Sequence, residues 1–262
     1  MKIFRKAKNA VRIFKEDGFQ RIIFILATEY SLPIPLSTEF KWKAGIKSEV
    51  QYWDAYFRTK GLKWADTYNL RFDPELPLQP RPAALLPPQS EIHILDVGAG
   101  PLTCLGKKHE GKDVHITAVD PLADEYDKIL EKHQIQPLVR TQKLTAETLT
   151  NRFSSDSFSL VFARNCIDHA FNPEEAILQM IDVAKKDGYV LLEHRPNEAE
   201  NENYLGLHQW NFSMSADGDF LISSKSETVN MTEKYAELCS MTSEIVYEFG
   251  NVDWLVVRIQ KK

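Results

Sequence analysis

Two acids and two glycines follow the first two predicted strands, at positions where they could bind a nucleoside. The first strand runs into Asp96-Val97-Gly98-Ala99-Gly100, and the second ends in Ala118-Val119-Asp120. Glycine lets the backbone turn sharply and lets a ligand approach where a Cβ would collide. A carboxylate at the end of the second strand can accept hydrogen bonds from both hydroxyls of a ribose. Strand, glycine turn, helix, strand and terminal acid in this order predict a site for a ribose-containing ligand.

The position of Asp96 indicates the charge of that ligand. A dinucleotide fingerprint would place a third glycine where Thr103 stands, with a pyrophosphate at the start of the helix. A carboxylate two residues before Gly98 would repel a diphosphate, whereas it suits a ligand that carries an ammonium group. These features favour S-adenosylmethionine, which carries an ammonium and a cationic sulfonium, over a nicotinamide dinucleotide.

Histidines follow the predicted fourth and fifth strands, at the edge where open α/β sheets bind their ligands. Asp168-His169 comes after the fourth strand and His194-Arg195 after the fifth. Because an imidazole titrates near neutral pH, His169 is the candidate general base for an acceptor hydroxyl, with Asp168 as its neighbour. The alternative is a packing or surface histidine in a motif that often contains one.

A stretch after the fifth strand is rich in aromatic and hydrogen-bonding residues. It contains His208-Gln209-Trp210, followed by two short predicted strands, 211–214 and 220–223, around the turn residues Asp217-Gly218. Such residues suit a polar organic substrate, and they equally suit an ordinary folded flap. The candidate substrate contacts are His194, Arg195, His208 and Trp210.

These residues require a sheet that brings the strand ends together, and the sequence predicts one. Helical segments such as 173–186 separate most of the apolar runs, which predicts a doubly wound, mostly parallel α/β sheet with helices on both faces. Two last runs, 244–249 and 254–260, flank Gly250-Asn251 and predict an antiparallel C-terminal hairpin, for seven strands in all. The five earlier runs are Ile92–Val97, Val114–Val119, Leu138–Leu144, Ser159–Ala163 and Tyr189–Leu192.

The part of the chain before this sheet has a different character. Residues 1–88 are predicted to be a helical N-terminal extension and proline-rich linker, and residues 89–262 the main domain, with an inserted flap at about 196–228. One helix is predicted from Glu49 to Lys60, with Ser48 as its N-cap and Gly61 after it. Six prolines between Pro74 and Pro88 predict that the stretch Arg71–Pro88 is an extended linker.

The N-terminus is basic while the remainder is acidic. Residues 1–24 hold seven basic and two acidic residues, and the other residues hold 25 basic and 35 acidic ones. An amphipathic helix is predicted over residues 2–16. It either packs on the body of the protein or contacts an anionic membrane surface or a partner.

Composition excludes several classes of protein. The chain has 262 residues, 43% of them hydrophobic and 26% charged, which excludes a disordered chain. Its longest apolar run, 22–27, is too short to cross a bilayer. A net charge of −5 argues against a general nucleic-acid binder. Three widely spaced cysteines form no disulfide framework, which favours a cytoplasmic protein, with a peripheral membrane location left open.

The motifs, taken in order, resemble those of class I S-adenosylmethionine-dependent methyltransferases that act on small molecules. The likeness covers about residues 91–262, and it implies S-adenosylmethionine as the cofactor and a methyltransferase fold. The segments that resemble the family's motifs are 94–100, 118–120, 146–149, 158–165 with 167–169, and 185–192.

The resemblance implies a role for each matching residue in binding the methionyl and ribose parts of the cofactor. Carried over by position, the turn of Gly98, Ala99 and Gly100 would pass beneath the methionyl group. Asp96 would orient its ammonium group, and Asp120 would bind the ribose.

The same carry-over places other residues around the adenine. Leu122 would lie against the ring beside Pro121, which stands where many members have a larger residue. Ala146 and Glu147 belong to the loop that flanks the adenine edge. Asn165 would also face the cofactor, and its neighbour Arg164, which is less usual in the family, would contact cofactor or substrate.

The resemblance also limits the type of acceptor that we expect to be methylated. Asn165 is followed by Cys166-Ile167-Asp168, which matches neither the proline-containing motif of DNA amino-methyltransferases nor the Pro-Cys nucleophile of cytosine-C5 enzymes. Asp168 alone does not make a magnesium site, so we predict no metal. We expect methyl transfer to an oxygen of a glycan or another polar small molecule. The alternatives are a non-catalytic docking module with this fold and a nicotinamide-dependent oxidoreductase; the oligomeric state is left open.

Overall fold

A sheet of seven strands forms the centre of the fold. A computed structural model describes residues 38–62, 65–204, 206–248 and 252–262 of the chain. The described strands are, in chain order, β1 (Glu91–Val97), β2 (Asp113–Asp120), β3 (Thr141–Lys143), β4 (Phe158–Arg164), β5 (Ala184–His194), β6 (Asn211–Met214), β7 (Phe220–Ser223), β8 (Thr228–Asn230), β9 (Cys239–Glu248) and β10 (Val252–Lys261). Seven of them lie in the order β3-β2-β1-β4-β5-β10-β9. The first five in this order are parallel, and β10 is antiparallel to both β5 and β9.

Short helices and 3₁₀ turns connect these strands. The described helices are α1 (Thr38–Arg58), α2 (Ala65–Tyr68), α3 (Pro80–Ala84), α4 (Ala123–Lys132), α5 (Pro173–Val183), α6 (Glu198–Asn201) and α7 (Met231–Lys234). The 3₁₀ turns are Asn69–Phe72, Ala146–Asn151 and Ile167–His169. The start of α5 shows how the local sequence sets a boundary. Asn172 accepts the N–H of Glu175 at 3.1 Å, and Pro173 takes the first position, where no helical hydrogen bond is lost.

The central strands are buried on both faces, as parallel strands in a doubly wound sheet must be. Along β4, Val161 and Ala163 pack into one hydrophobic cluster with α5, while Leu160 and Phe162 pack into a second cluster with Leu78. Successive side chains of a strand point to opposite faces, so the two clusters lie on opposite sides of the sheet. The predicted α/β fold with its antiparallel C-terminal hairpin is confirmed.

The first described helix is longer than the sequence indicated. It begins at Thr38 rather than after Ser48, which lies in its interior and is not an N-cap. Gly45 also lies inside α1, where the backbone of Leu207 approaches so closely that a Cβ at residue 45 would be 2.7 Å from the Leu207 nitrogen. The turn of α1 around Gly45, which the sequence did not predict to be helical, is thus in long-range contact with Leu207 of the flap.

The proline-rich segment is not wholly extended, so that prediction was partly wrong. Asn69–Phe72 is a 3₁₀ turn and α3 begins at Pro80. Prolines in the first helical turn lose no hydrogen bond, which is why two of them fit there. Leu76 and Leu78 then pair with Lys107 and Lys108 through backbone hydrogen bonds of 2.7 and 2.8 Å.

The described part of the N-terminal extension shares a core with the residues that follow it. Tyr56 and Phe57 of α1 are buried against Leu102 and against Tyr126 and Ile129 of α4. The domain boundary at residue 88 stays a prediction, and the basic helix predicted over residues 2–16 lies outside the described residues. Across the described ranges, none of the helices combines the length and the apolar character that spanning a membrane requires.

One helix and one strand are shorter in the structure than the sequence predicted. The helix predicted over residues 173–186 ends at Val183, because Ala184 has extended backbone and pairs with Phe158 in the sheet. The strand predicted over 138–144 is reduced to Thr141–Lys143, the residues that pair with β2.

The insertion after β5 carries its own small sheet. The predicted hairpin is present as β6 and β7, and β8 adds a third antiparallel strand. Phe212 and Phe220 are fully buried in the same cluster as α5, so this sheet packs on the domain. The loop between α6 and β6 contacts α1, where Leu207 lies against Gly45.

Candidate active site

A cavity of about 1540 Å³ lies at the carboxyl ends of β1, β2 and β4. Its wall is formed by the residues after these strands, by α1 and by the loop that precedes β6. Ligand cavities commonly measure roughly 300–1,000 Å³. This cavity therefore has room for two ligands side by side.

The turn after β1 needs glycine at two positions. Gly98 has φ +68° and Gly100 has φ +64°, in the left-handed region. A Cβ on Gly98 would lie 2.4 Å from the Sγ of Cys166, and one on Gly100 would lie 2.9 Å from the ring of Trp53. Glycine at these two positions therefore lets the Cys166 side chain and the Trp53 ring pack directly on the turn, which lines the cavity.

Asp120 holds the turn in place. Its Oδ2 accepts the N–H of Gly100 at 3.1 Å, and its Oδ1 accepts the N–H of Leu122 at 2.8 Å. Burial raises the pKa of this carboxyl to about 7, although the two backbone hydrogen bonds oppose the rise. The acid predicted to bind a ribose is therefore oriented by the glycine turn and lines the same cavity.

Asp96 lines the cavity with an unsatisfied oxygen. It is almost fully buried, and its Oδ2 has no hydrogen-bond partner among the described residues. Burial raises its pKa to about 7; a hydrogen bond with Thr103 and the charges of Arg71 and Lys107 offset part of the rise. An ammonium group in the cavity would supply the missing partner. This unsatisfied acceptor beside the glycine turn fits the ammonium group of S-adenosylmethionine.

The remaining predicted cofactor residues also line this cavity, but two of them have further bonds. Glu147 accepts the backbone N–H groups of Phe171 and Asn172 at 2.9 and 3.2 Å, which fixes the loop before α5. Asn165 has φ +51° and accepts the N–H of Arg195 at 3.3 Å. The lining residues predicted for the cofactor are Asp96, Gly98, Ala99, Gly100, Asp120, Pro121, Leu122, Ala146, Glu147 and Asn165.

Two histidines and an acid form a compact cluster on another part of the wall. The Nε2 of His169 lies 3.0 Å from the Nδ1 of His208. The Oδ2 of Asp168 is 3.4 Å from the same atom of His169 and 3.6 Å from that of His208. Both imidazoles line the cavity, whereas Asp168 is 2% exposed and lies behind them.

Charge within this cluster outweighs burial. Burial alone would raise the pKa of Asp168, yet the neighbouring imidazoles of His169 and His208 hold it well below its ordinary value. Burial likewise opposes the charged form of His208, but Asp168 beside it raises the pKa of that imidazole. The acid predicted to be catalytic thus acts through the two imidazoles and has no surface of its own on the cavity.

His194 and Trp210, both predicted to contact substrate, do not reach the cavity. His194 is 1% exposed, and its Nε2 accepts the N–H groups of Ile167 and Cys166 at 3.0 and 3.3 Å. Burial lowers its pKa to about 4, which suits a neutral ring that accepts hydrogen bonds. Trp210 packs against the main hydrophobic cluster. Of the predicted substrate contacts, Arg195 and His208 line the cavity.

A buried acid between two arginines lines the wall near β5. Glu193 is 2% exposed and binds Arg81 at 2.7 Å and Arg164 at 2.6 Å. The guanidinium of Arg164 lies 4.2 Å from the centre of the Trp254 ring. Sequence reasoning did not find this group, because Arg81 and Trp254 are far from β5 along the chain.

Helix α1 supplies a further part of the wall that sequence reasoning missed. Trp53, Tyr52 and Tyr56 line the cavity, and Arg71 lies 5.5 Å from the centre of the Trp53 ring. In the sequence, the spacing of Trp53 and Tyr56 indicates only one face of a helix. Nothing local shows that this face lies against the glycine turn.

Comparison with known proteins agrees with this geometry. A family model described as a methyltransferase domain matches residues 95–192. No curated protein matches the chain in sequence. The match to a methyltransferase domain decides against the nicotinamide-dependent alternative.

Similar solved structures support the fold. The chain resembles an S-adenosylmethionine-dependent methyltransferase from Thermotoga maritima, with a TM-score of 0.50 and 16% identity over 85% of this chain and 100% of the other. It also resembles a methyltransferase from Haloferax volcanii in complex with the Trm112 methyltransferase activator, with a TM-score of 0.51 and 11% identity over 82% of this chain and 97% of the other. At these identities the likeness concerns the fold.

Proposed function

Because the chain carries an S-adenosylmethionine-dependent methyltransferase domain of class I, we propose that it methylates a hydroxyl oxygen of a glycan or another polar small molecule. The observation that supports this proposal best is that the glycine turn with its two acids and the pair of imidazoles, His169 and His208, line one cavity. The volume of that cavity suits an acceptor bound beside the cofactor.

The glycine-turn end would hold the cofactor. Asp96 would pair with the ammonium group and Asp120 would accept the ribose hydroxyls, while the turn of Gly98 and Gly100, which lines the cavity, would pass beneath the methionyl chain. Bound S-adenosylmethionine supplies an electrophilic methyl group. The protein's task is then to position the acceptor oxygen and to help its proton leave.

The imidazole end would activate the acceptor. His169 is the side chain that we expect to accept the hydroxyl proton, since its Nε2 is held by His208 and lies 3.4 Å from the charge of Asp168. Asp168 stabilises the charged imidazole pair because it is buried and ionised. The proton is then shared within the cluster and can pass to solvent through the cavity.

The rest of the wall suggests the class of acceptor. Aromatic rings from α1, donors from Arg195 and the carboxylates of Glu198 and Glu202 line it together. Rings pack on the faces of sugars while donors and acceptors bind hydroxyl groups, so a glycan or glycoside fits this wall better than an apolar acceptor.

Release of S-adenosylhomocysteine tests the proposal. The full chain is incubated with the cofactor and a panel of mono- and oligosaccharides, glycosides and hydroxylated aromatics. We expect turnover with at least one hydroxylated acceptor, and we expect His169→Gln to lower kcat by about 10²–10⁴-fold while the cofactor affinity stays the same. His109→Gln, outside the cavity, is the matched control.

Two results would overturn the proposal. One is cofactor binding with no turnover over the whole panel, which would favour the non-catalytic alternative. The other is turnover only with amines or with carbon nucleophiles.

A further inference from the structure

We propose that Asp168, His169 and His208 bind one divalent transition-metal ion of the zinc type at the wall of the cavity. The sequence predicted no metal, because Asp168 was the only ligand that local spacing offered. The fold adds His208 from a loop 39 residues further along the chain and brings it against Asp168 and His169. An imidazole–imidazole–carboxylate set suits zinc and related ions, whereas magnesium prefers oxygen ligands.

The spacing of the three donor atoms matches a tetrahedral site. The Nε2 of His169, the Nδ1 of His208 and the Oδ2 of Asp168 form a triangle with edges of 3.0, 3.4 and 3.6 Å. Zinc binds nitrogen and oxygen ligands at about 2.0–2.2 Å with tetrahedral angles, so neighbouring donors lie about 3.3 Å apart. The three atoms therefore approximate one face of a tetrahedron with an ion above its centre.

A second observation also points to a cation. Both carboxylate oxygens of Asp168 are buried, and neither has a hydrogen-bond partner within the described ranges. The imidazole nitrogens around it lie at 3.4–3.8 Å, and a buried ionised carboxylate is expensive unless a charge or a metal binds it closely. The two imidazole nitrogens face each other across 3.0 Å, which needs a shared proton in the absence of an ion. A bound ion would replace that proton and satisfy the carboxylate.

The elements around the cluster hold the ligands in place. Asp168 and His169 lie in the 3₁₀ turn Ile167–His169, whose first N–H is held by the Nε2 of His194 at 3.0 Å. That ring also lies 3.8 Å from the Oδ1 of Asp168. Neighbours that orient metal ligands in this way are a regular feature of zinc sites.

The ion would have a coordination position open to the cavity. Two of the ligands line the cavity and the third lies behind them, so the fourth position faces the space where an acceptor would bind. Three protein ligands with one open position are typical of catalytic zinc. The site would therefore take acceptors whose hydroxyl oxygen can bind the ion directly.

The chemical role of the ion, unlike its binding, rests on the proposed function. An ion bound to the acceptor hydroxyl lowers its pKa. The oxygen forms a bond to the methyl carbon while the bond from that carbon to the sulfonium sulfur breaks, and the sulfur keeps the electron pair. With the ion bound, His169 is a ligand and cannot also accept the hydroxyl proton, as it would in the metal-free cluster. The proton passes instead to Glu198, which lines the cavity and has a buried oxygen with no hydrogen-bond partner in the described part of the chain.

Calorimetric titration of the chelator-treated full chain with Zn²⁺ tests the binding site. We expect one ion per chain. Loss of a side chain that only orients a ligand lowers metal affinity about 10–100-fold, so His208→Asn and Asp168→Asn should each weaken binding by at least that factor. Co²⁺ in the wild-type site should give the visible absorption of a four-coordinate ion, and His208→Asn should abolish it.

The control separates this site from the other close pair of histidines that the structure describes. The rings of His93 and His115 stack with their centres 5.0 Å apart, beside exposed acids near the amino ends of β1 and β2. His115→Asn should leave the zinc affinity unchanged. His208→Asn alters a loop residue, so it keeps the test decisive even where Asp168→Asn fails to fold.

Two results would overturn the inference: no stoichiometric zinc binding by folded wild-type protein, or binding that survives His208→Asn and is lost in His115→Asn. Release of S-adenosylhomocysteine is measured separately with and without Zn²⁺. Zinc binding without turnover contradicts the proposed function and leaves the site supported. Turnover that does not change when zinc is removed overturns the role of the ion and leaves the proposed function standing.

Discussion

At the scale of single residues, Asp96 and Asp120 are two carboxyls of the cavity wall whose pKa is shifted by the fold. Burial raises the pKa of both carboxyls to about 7. Below that pH each carboxyl is increasingly neutral. A neutral Asp96 cannot pair with an ammonium group, so protonation competes with the binding of the cofactor.

This competition predicts the pH dependence of cofactor binding. The affinity for S-adenosylmethionine should fall by about tenfold between about pH 8 and about pH 6 for a single such group, and calorimetry at each pH measures it. Asp96→Asn should bind more weakly at pH 8 and show a flatter profile. An affinity of the wild-type protein that does not change with pH would contradict the assignment.

A comparison of alanine variants at Gly98 and Gly111 distinguishes the cost of side-chain crowding from the cost of backbone strain. Both have positive φ, near +70°, but a Cβ on Gly98 would meet the Cys166 side chain, and one on Gly111 would meet nothing within 4 Å. Gly111→Ala should lower the free energy of unfolding by about 1 kcal/mol. Gly98→Ala should lower it by about 1–3 kcal/mol more, because the crowded cavity wall must move, and should weaken cofactor binding. Equal losses in denaturant titrations would show that the turn is not crowded.

At the scale of elements, His194 joins β5 to the turn Ile167–His169. Its Nε2 accepts the backbone N–H groups of Ile167, in a buried bond, and of Cys166, in a partly buried one. His194→Ala should therefore lower the free energy of unfolding by about 3–5 kcal/mol, from unsatisfied donors and a cavity. The half-buried His133, which contacts Asp54 at the surface, is the control, and His133→Ala should lose about 1 kcal/mol or less. A similar loss in both variants would argue against a structural role specific to His194.

At the contact between α1 and the flap, replacing Gly45 by alanine has two opposing effects on stability. Alanine is favoured over glycine inside a helix by about 1 kcal/mol. A Cβ on Gly45 would lie 2.6–2.8 Å from both the backbone and the side chain of Leu207, which cannot move without shifting the flap. We expect the clash to dominate, so that Gly45→Ala lowers both thermal stability and turnover. A stabilised, fully active variant would show that α1 and the flap are not packed together during catalysis.

Only the parts of the site that are formed by neighbouring elements of the chain could be predicted from the sequence. The turn at Gly98 and the acid Asp120 were predictable because strand, turn and strand are contiguous in the chain. The cluster of Asp168 with His208 was not, since 39 residues separate the two imidazoles and no spacing rule joins them. His194 stood at the expected edge of the sheet, but the sequence does not indicate that its ring turns inward to bind the Ile167 N–H.

At the scale of the whole molecule, the cavity depends on segments that are distant in the chain. Helix α1, the carboxyl edge of the sheet and the loop before β6 each supply part of its wall, and so do Arg81 of α3 and Trp254 of β10. The alternating apolar runs predicted the sheet, because its period and order are local properties. The contribution of Trp53 was not predictable, since an aromatic stripe at helical spacing is equally consistent with core packing. The cavity is therefore a property of how these segments pack, and variants that separate them should lose turnover before they lose the sheet.

The most direct test of the account follows the methyl group itself. The protein is incubated with S-adenosylmethionine that carries an isotopically labelled methyl group and with the hydroxylated acceptors, and mass spectrometry locates the label. We expect label in a methyl ether, formed by the wild-type protein and by His109→Gln but not by His169→Gln. Label on nitrogen or carbon, or an ether formed equally well without His169, would contradict it.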